Sequence, residues 1–210
     1  MTSAANEQVF SPASAKLRPK KCRVGVLISG TGSNMKALVT ASHLPDAPYE
    51  IACVASNKAD AGGIIWAREN GIEAQVINHK DYASREGFDA ALNDYLQSQR
   101  LDLIACAGFM RFMTPVLITP WHSKMLNIHP SLLPLYKGLH THARAIVAGD
   151  KEAGCTVHWV TAELDGGPVI AQAKVPILKG DTPETLAARV LVEEHRLYPA
   201  TLTTFAKGLI

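Results

Sequence analysis

The sequence lacks several features that mark large classes of protein. No apolar run approaches the roughly 20 residues that a membrane helix requires, and the first 20 residues lack the apolar core of a secretory signal. The 21 basic and 19 acidic side chains give a formal net charge of +2, so neither nucleic acid nor a membrane surface is indicated as a partner. We therefore predict a cytoplasmic protein, a monomer or homodimer, that binds small molecules.

Cysteine is also scarce, and its spacing argues against a structural metal site. The four cysteines lie far apart, mostly within apolar runs, and form no CxxC or zinc-ligand pattern. This usage is typical of buried, reduced thiols in a cytosolic protein. The segment "HTH" at 140–142 resembles a metal-binding pair, but no carboxylate or cysteine stands at ligand spacing nearby. We predict no metal.

Short apolar runs alternate with amphipathic segments along most of the chain. Strands are predicted at 22–29, 49–56, 73–77, 101–108, 125–130, 154–161 and 169–177, and helices at 34–42, 61–70, 84–100, 114–122, 141–150 and 181–208. Thr182 is predicted to cap the last helix, and Pro199 to bend or interrupt it. This order predicts an α/β fold, a single three-layer domain at 21–210 with a central, mostly parallel (mixed) sheet. Residues 1–20 are predicted to be a disordered leader.

The stretch "NIHP" places two polar side chains at the end of an apolar run. On a strand, Asn127 and His129 share one face while Ile128 points to the other, and Pro130 ends the ladder. The carboxyl ends of strands are where open α/β sheets bind their ligands. The alternative is a strand end whose polar groups simply face water, and the residues alone leave both interpretations open.

The loop "SGTGSN" at 29–34 follows the first strand and opens the first helix. Its glycines let backbone N–H groups approach a ligand, and a helix N-terminus favours an anion such as phosphate. The dinucleotide fingerprint fails because Met35 occupies the third glycine position, and no GK[ST] follows for a Walker loop. We favour a phosphate site over a tight turn that binds nothing.

Two further segments could complete a ligand site. "AGFMRFM" at 107–113 places apolar side chains after a buried strand, which suits a flat aromatic ligand, although core packing explains the pattern equally well. "ELDGGP" at 163–168 is either a plain turn or a means of bringing Asp165 beside His129. A carboxylate there favours the protonated imidazole, and the set would suit acyl transfer without a covalent intermediate. His158, within a strand, is predicted to be structural.

Six segments together resemble the phosphoribosylglycinamide formyltransferases, a branch of the folate-dependent formyltransferase family. The segments are "VLISGTGSN", "SNKADA", "AGFMRF", "NIHPSLLP", "GLHTHARA" and "ELDGGPVIAQAKVPI", and the likeness runs from about Arg23 onward. The Asn-x-His and LDxGP elements belong to the wider family, whereas SGTGSN and GLHTH indicate the branch. The resemblance implies a formyltransferase-type, Rossmann-like domain that uses 10-formyltetrahydrofolate as the formyl donor, without a metal, in de novo purine biosynthesis.

The resemblance also implies roles for individual residues. The ribonucleotide would be bound by Gly32, Ser33, Asn34 and Glu194. The folate would be bound by Arg85, Met110, Arg111, Phe112, Met113 and Asn127. The catalytic residues would be Asn127, His129 and Asp165. The substrate amine would attack the formyl carbon, Asn127 and protonated His129 would stabilise the oxyanion, and His129 and Asp165 would relay a proton through a bound water.

Four other functions compete with this assignment. A formyltetrahydrofolate hydrolase resembles the chain around Asn-x-His but usually carries an extra amino-terminal domain, and methionyl-tRNA formyltransferase needs an extra carboxyl-terminal one. A non-catalytic folate- or nucleotide-binding module would keep the loop and the apolar pocket without requiring Asn, His and Asp together. A dinucleotide oxidoreductase is disfavoured by the broken glycine fingerprint.

Overall fold

Seven strands form one sheet in the computed structural model, which describes residues 21–209. Their spatial order is β3-β2-β1-β4-β5-β6-β7. The strands are β1 (Cys22–Ile28), β2 (Tyr49–Ser56), β3 (Ala74–Val76), β4 (Leu103–Cys106), β5 (Met125–His129), β6 (Glu152–Trp159) and β7 (Val169–Pro176). The leader predicted for 1–20 lies outside the described residues.

The sheet is mixed, as predicted. The first five strands pair in parallel, whereas β6 pairs antiparallel with both β5 and β7. Chain order reverses at β1, which has β2 on one side and β4 on the other. The carboxyl ends of β1 and β4 therefore flank a crevice at the switch point, the usual place for a ligand in such sheets.

Helices cover both faces and give the predicted three layers. They are α1 (Ser33–Ser42), α2 (Gly62–Glu69), α3 (Arg85–Ser98), α4 (Pro115–Ile118), α5 (Thr141–Ala148) and α6 (Pro183–Leu209), with short 3₁₀ turns at His79–Asp81 and Thr119–Trp121. One core lies beneath α1, α2 and α6, and a second beneath α3 and α4. Among residues 21–209, none of the helices has the length and apolarity to cross a membrane.

Helix α6 begins where the sequence predicted but is not interrupted at its proline. Thr182 accepts a hydrogen bond from the N–H of Thr185 (3.3 Å) and so caps the helix. The helix continues through Pro199, contrary to the predicted interruption. Tyr198 and Leu202 on either side are fully buried in the core beneath it. This packing outweighs the single backbone hydrogen bond that the proline cannot donate.

Candidate active site

The antiparallel pairing of β5 with β6 positions the predicted polar pair. Asn127 lies opposite His158 in the ladder, and His129 lies opposite Thr156. The side chain of Asn127 is half-buried and lines a cleft at the carboxyl end of β5. Ile128, between the two polar residues, packs into the core, as the strand alternation predicted.

His129 is 5% exposed, and both of its ring nitrogens have partners. Nε2 lies 3.0 Å from the carbonyl oxygen of Tyr136, which can only accept, so Nε2 carries a hydrogen. Nδ1 lies 3.4 Å from Oδ2 of Asp165. A ring that faces an acceptor at each nitrogen is suited to carry both hydrogens. The predicted pairing of His129 with Asp165 is therefore present.

Asp165 stands on a left-handed backbone in the loop between β6 and β7. Its φ of 48° is a conformation that aspartate and asparagine adopt more readily than most residues. Oδ2 accepts a hydrogen bond from the N–H of Gly138 at 2.9 Å. Since the same oxygen faces His129, the carboxylate links the loop after β5 to the His129 ring.

His158 meets the site through Asn127, and its fully paired ring fits the structural role that the sequence predicted. Its Nδ1 lies 2.9 Å from the carbonyl oxygen of Trp159 and therefore carries the hydrogen. Burial lowers the pKa of His158, although Trp159 and Asp165 act in the opposite direction, so the ring is neutral at pH 7. The bare Nε2 accepts from the amide of Asn127 at 3.2 Å, which fixes the orientation of that amide.

A cleft of about 490 Å³, including space open to solvent, joins these residues. Asn127, His158 and Asp165 lie along it, and His129 contacts it through Asp165. The remaining wall is mostly apolar and comes from the ends of β4 and β6, the loops that follow them and the end of α4. These residues are Cys106, Phe109, Arg111, Phe112, Met113, Ile118, Val160, Thr161, Ala162, Glu163 and Leu164. A largely apolar cleft with a few polar groups at one end is typical of a small-molecule site.

The run Met110–Met113, predicted to bind folate, lies beside this cleft. Met110 is 64% exposed and Phe112 47% exposed, so neither is core filling. The guanidinium of Arg85, from the first turn of α3, stacks over the Phe112 ring at 5.3 Å. At the end of the run, Thr114 donates its N–H to the buried carboxylate of Asp89 at 2.6 Å. Arg85 and the run are therefore together, as predicted.

The glycine-rich loop forms the N-terminus of α1. Gly32 caps the helix with a left-handed φ of 72°, a conformation that favours glycine. Gly63 of α2 donates its N–H to the carbonyl oxygen of Gly30 at 3.0 Å, and a Cβ there would collide with the Ile28 side chain. Among the described residues, no side chain caps α1 and its first turn has no acidic group, so the N–H groups beginning at Ser33 are available to an anion.

Asn34 and Glu194, 160 residues apart, meet beside this loop. Nδ2 of Asn34 donates to Oε2 of Glu194 at 2.5 Å, and both side chains are buried. Oδ1 of Asn34 has no hydrogen-bond partner among the described residues. Burial raises the pKa of Glu194, and the hydrogen bond from Asn34 only partly offsets this. The pair that the resemblance assigned to one substrate is therefore a real contact.

Replacing Glu194 with glutamine is expected to stabilise the fold at neutral pH by about 1–3 kcal/mol, the usual desolvation cost of a buried polar group. The folded state of the parent holds its proton to higher pH than the unfolded state, because the pKa of Glu194 is raised from its ordinary value of 4.5. The free energy of unfolding therefore falls as pH rises above 4.5 and levels off above the folded pKa. Glutamine removes this dependence and can still accept from Asn34.

Urea unfolding between pH 4 and pH 8 measures the effect. Glu193→Gln is the matched control, because Glu193 precedes Glu194 but is partly exposed and paired with Arg196 at 2.9 Å. This variant should follow the pH trend of the parent. Equal stability of Glu194→Gln and the parent at pH 8 would contradict the proposed cost of the buried carboxylate.

Histidine, cysteine and acidic side chains do not form a metal-binding cluster in the described part of the chain. Within residues 21–209, no group of three or more His, Cys, Asp and Glu side chains could hold a metal ion. The four cysteines are all buried and free. His140 is exposed at the start of α5, whereas His142 is half-buried on the helix.

Comparison with known proteins agrees with this geometry. A family model described as formyl transferase matches residues 22–202. A protein of Haemophilus influenzae named phosphoribosylglycinamide formyltransferase is 46% identical over 186 residues, which cover 89% of this chain and 88% of the relative. The trifunctional purine biosynthetic protein adenosine-3 of Bos taurus is 45% identical over 92% of this chain, but the match spans only 19% of that longer protein.

A solved structure extends the likeness to the fold. The crystal structure of phosphoribosylglycinamide formyltransferase from Brucella melitensis superposes with a TM-score of 0.86 at 53% sequence identity. The match covers 91% of this chain and 98% of that chain. The two proteins therefore share one fold.

Proposed function

The chain belongs to the formyl transferase family, and from this premise we propose that it moves the formyl group of 10-formyltetrahydrofolate to the primary amine of N1-(5-phospho-D-ribosyl)glycinamide. The products are the N2-formyl ribonucleotide and tetrahydrofolate, and the reaction belongs to purine biosynthesis. Free, buried cysteines suit work in the cytoplasm. Every residue that the proposal uses lies within one chain.

One observation carries the proposal: an amide donor and a carboxylate–imidazole pair meet at one end of an apolar cleft. Asn127 supplies the donor, and Asp165 with His129 supplies the pair. These groups suit a reaction in which charge develops on a carbonyl oxygen while a proton moves between nitrogens. A binding module would not require all three.

The two substrates would approach this point from different sides. The phosphate of the ribonucleotide would bind the N-terminus of α1 at Gly32 and Ser33, and Asn34 and Glu194 would contact the rest of that substrate. The folate would lie along the run Met110–Met113. Nε of Arg111, in the wall of the cleft, is buried without a hydrogen-bond partner among the described residues, so it is available to the folate.

The chemical step would use the amide of Asn127 and the pair of His129 and Asp165 at the end of the cleft. The neutral amine attacks the formyl carbon, a C–N bond forms, and the carbonyl electrons move to the oxygen. Asn127 and protonated His129 donate to this oxyanion. Collapse breaks the bond to N10 of the folate, and His129 and Asp165 relay the proton from the attacking amine to N10 through a bound water.

The hydrogen bond from His129 to Tyr136 has a consequence for this step. Nε2 donates to the carbonyl oxygen of Tyr136, and Nδ1 faces Asp165. Donation from Nε2 to the formyl oxygen therefore requires this hydrogen bond to be exchanged for one to the substrate. Asp165 can hold the ring during the exchange, because it contacts the other nitrogen.

A formyl-transfer assay tests the proposal directly. The purified protein would be mixed with 10-formyl-5,8-dideazafolate, whose deformylation changes its absorbance, with and without the ribonucleotide. We expect deformylation only when the ribonucleotide is present. Deformylation without it would identify a hydrolase, and binding without any deformylation would identify a non-catalytic module.

A further inference from the structure

Ser29, the residue that follows β1, makes a set of hydrogen bonds that the proposed chemistry does not use. The side chain is 5% exposed and is absent from the wall of the cleft. Its position is nevertheless central, because it is the first residue of the glycine-rich loop and stands at the switch point between β1 and β4.

Three hydrogen bonds connect Ser29 to both sides of the crevice. Its backbone N–H donates to the carbonyl oxygen of Gly108 at 3.0 Å. Its hydroxyl accepts the N–H of Met110 at 2.7 Å and donates to Oδ1 of Asn57 at 2.6 Å. The hydroxyl therefore holds the first residue of the folate-lining run from a position 81 residues earlier in the chain.

Asn57 gives this contact a rigid support. Asn57 follows β2 and is 1% exposed. Its backbone carbonyl oxygen accepts a hydrogen bond from Nδ1 of His79 at 2.9 Å. The hydroxyl hydrogen of Ser29 is thus directed towards Asn57, which leaves the oxygen lone pairs for Met110. Such a buried, fully paired hydroxyl fixes both of its partners.

We infer that Ser29 is a positioning residue for the folate, acting through the backbone of Met110. The inference rests on the proposed function. The side chain would not touch either substrate, but it would set where the run Met110–Met113 stands relative to the glycine-rich loop. The backbone bond to Gly108 survives any side-chain substitution, so the end of β4 stays attached when the hydroxyl is removed, and the substitution acts on the start of the run at Met110.

Ser29→Ala is expected to raise the Kd of 10-formyl-5,8-dideazafolate about tenfold, because the N–H of Met110 loses its acceptor and Oδ1 of Asn57 loses its donor. The Kd of the ribonucleotide should stay within about a factor of two, since its loop keeps its own contacts. A general loosening of the fold would raise the Kd of both ligands alike. Titration calorimetry with each ligand separately distinguishes these results, and it does not require turnover.

Control variants separate positioning from stability. Ser42→Ala removes an equally buried hydroxyl whose one hydrogen bond within residues 21–209 goes to the carbonyl oxygen of Val39 in α1, and it should change neither Kd. Ser29→Thr keeps the hydroxyl and should restore most of the folate affinity. If Ser29→Ala does not fold, Ser29→Cys replaces it, because sulfur is a weak acceptor in a side chain of similar shape.

The outcomes distinguish this inference from the proposed function. Parent-like folate affinity in folded Ser29→Ala, or equal weakening of both ligands, would overturn the positioning role. If the parent binds the folate analogue but transfers no formyl group, the proposed function fails while the Kd comparison still judges Ser29. If the parent binds no folate analogue at all, both proposals fall.

Discussion

Replacing Asn127 with alanine is expected to lower kcat for formyl transfer by about 10²–10³, the usual effect of removing one donor to an oxyanion. One amide hydrogen of Asn127 is directed to Nε2 of His158, which leaves the other for the formyl oxygen. This donor is strongest when the oxygen carries charge, so its loss acts on the transition state and changes the KM of either substrate little. Steady-state kinetics with both substrates varied measure the two parameters.

Two further variants separate lost donation from lost folding. Asn127→Asp keeps the shape of the side chain but removes its donor, so it should be as inactive as the alanine variant. Asn70→Ala removes an exposed amide that donates to the carbonyl oxygen of Trp66, and it should leave kcat unchanged. A folded Asn127→Ala protein with kcat within about threefold of the parent would rule out the oxyanion role.

Asp165→Asn is expected to lower kcat by about 10²–10⁴, the range for loss of acid–base assistance. Asparagine tolerates the left-handed backbone at this position, and its amide oxygen can still accept the N–H of Gly138. The substitution therefore removes chiefly the negative charge that lies 3.4 Å from Nδ1 of His129. Thermal unfolding should show a protein about as stable as the parent.

A double-mutant cycle with His129→Ala tests whether the carboxylate acts through the imidazole. If it does, the variant that carries both substitutions should be no slower than His129→Ala alone. If the loss of kcat in the double variant equals the product of the two single losses, Asp165 and His129 act independently. Nearly full activity of His129→Ala would exclude the proposed catalytic role of the ring.

The sequence predicted the strands and helices well because their patterns are local. The "LIAC" run of β4 is continuously apolar, and it is a strand buried on both faces. The polar pair at the end of β5 was equally readable from strand alternation. Whether Pro199 interrupts α6 cannot be read from the local pattern, because the effect depends on how tightly the neighbouring side chains pack.

The sequence did not reveal the tertiary contacts of individual side chains. His158 joins the site only because β6 runs antiparallel to β5 and so lies opposite Asn127, and the strand pattern alone does not give that direction. The sequence indicates Ser29 only as the start of a glycine-rich loop. Its contact with Met110 depends on how β1 and β4 pair at the switch point. The bond from His129 to Tyr136 likewise depends on the path of the intervening loop.

Helix α6 follows all seven strands in chain order, which has a consequence for synthesis on the ribosome. Leu186, Val190, Tyr198, Leu202 and Ala206 cover one apolar face of the sheet. Until this helix emerges, the part of that face that α1 and α2 do not cover is exposed to other nascent chains. The hydroxyl of Tyr198 then reaches the carbonyl oxygens of Cys106 and Leu126, both at 3.1 Å. Strands β4 and β5 thus gain these contacts only after α6 has been synthesised, so a chaperone that shields the nascent sheet should raise the yield of folded protein.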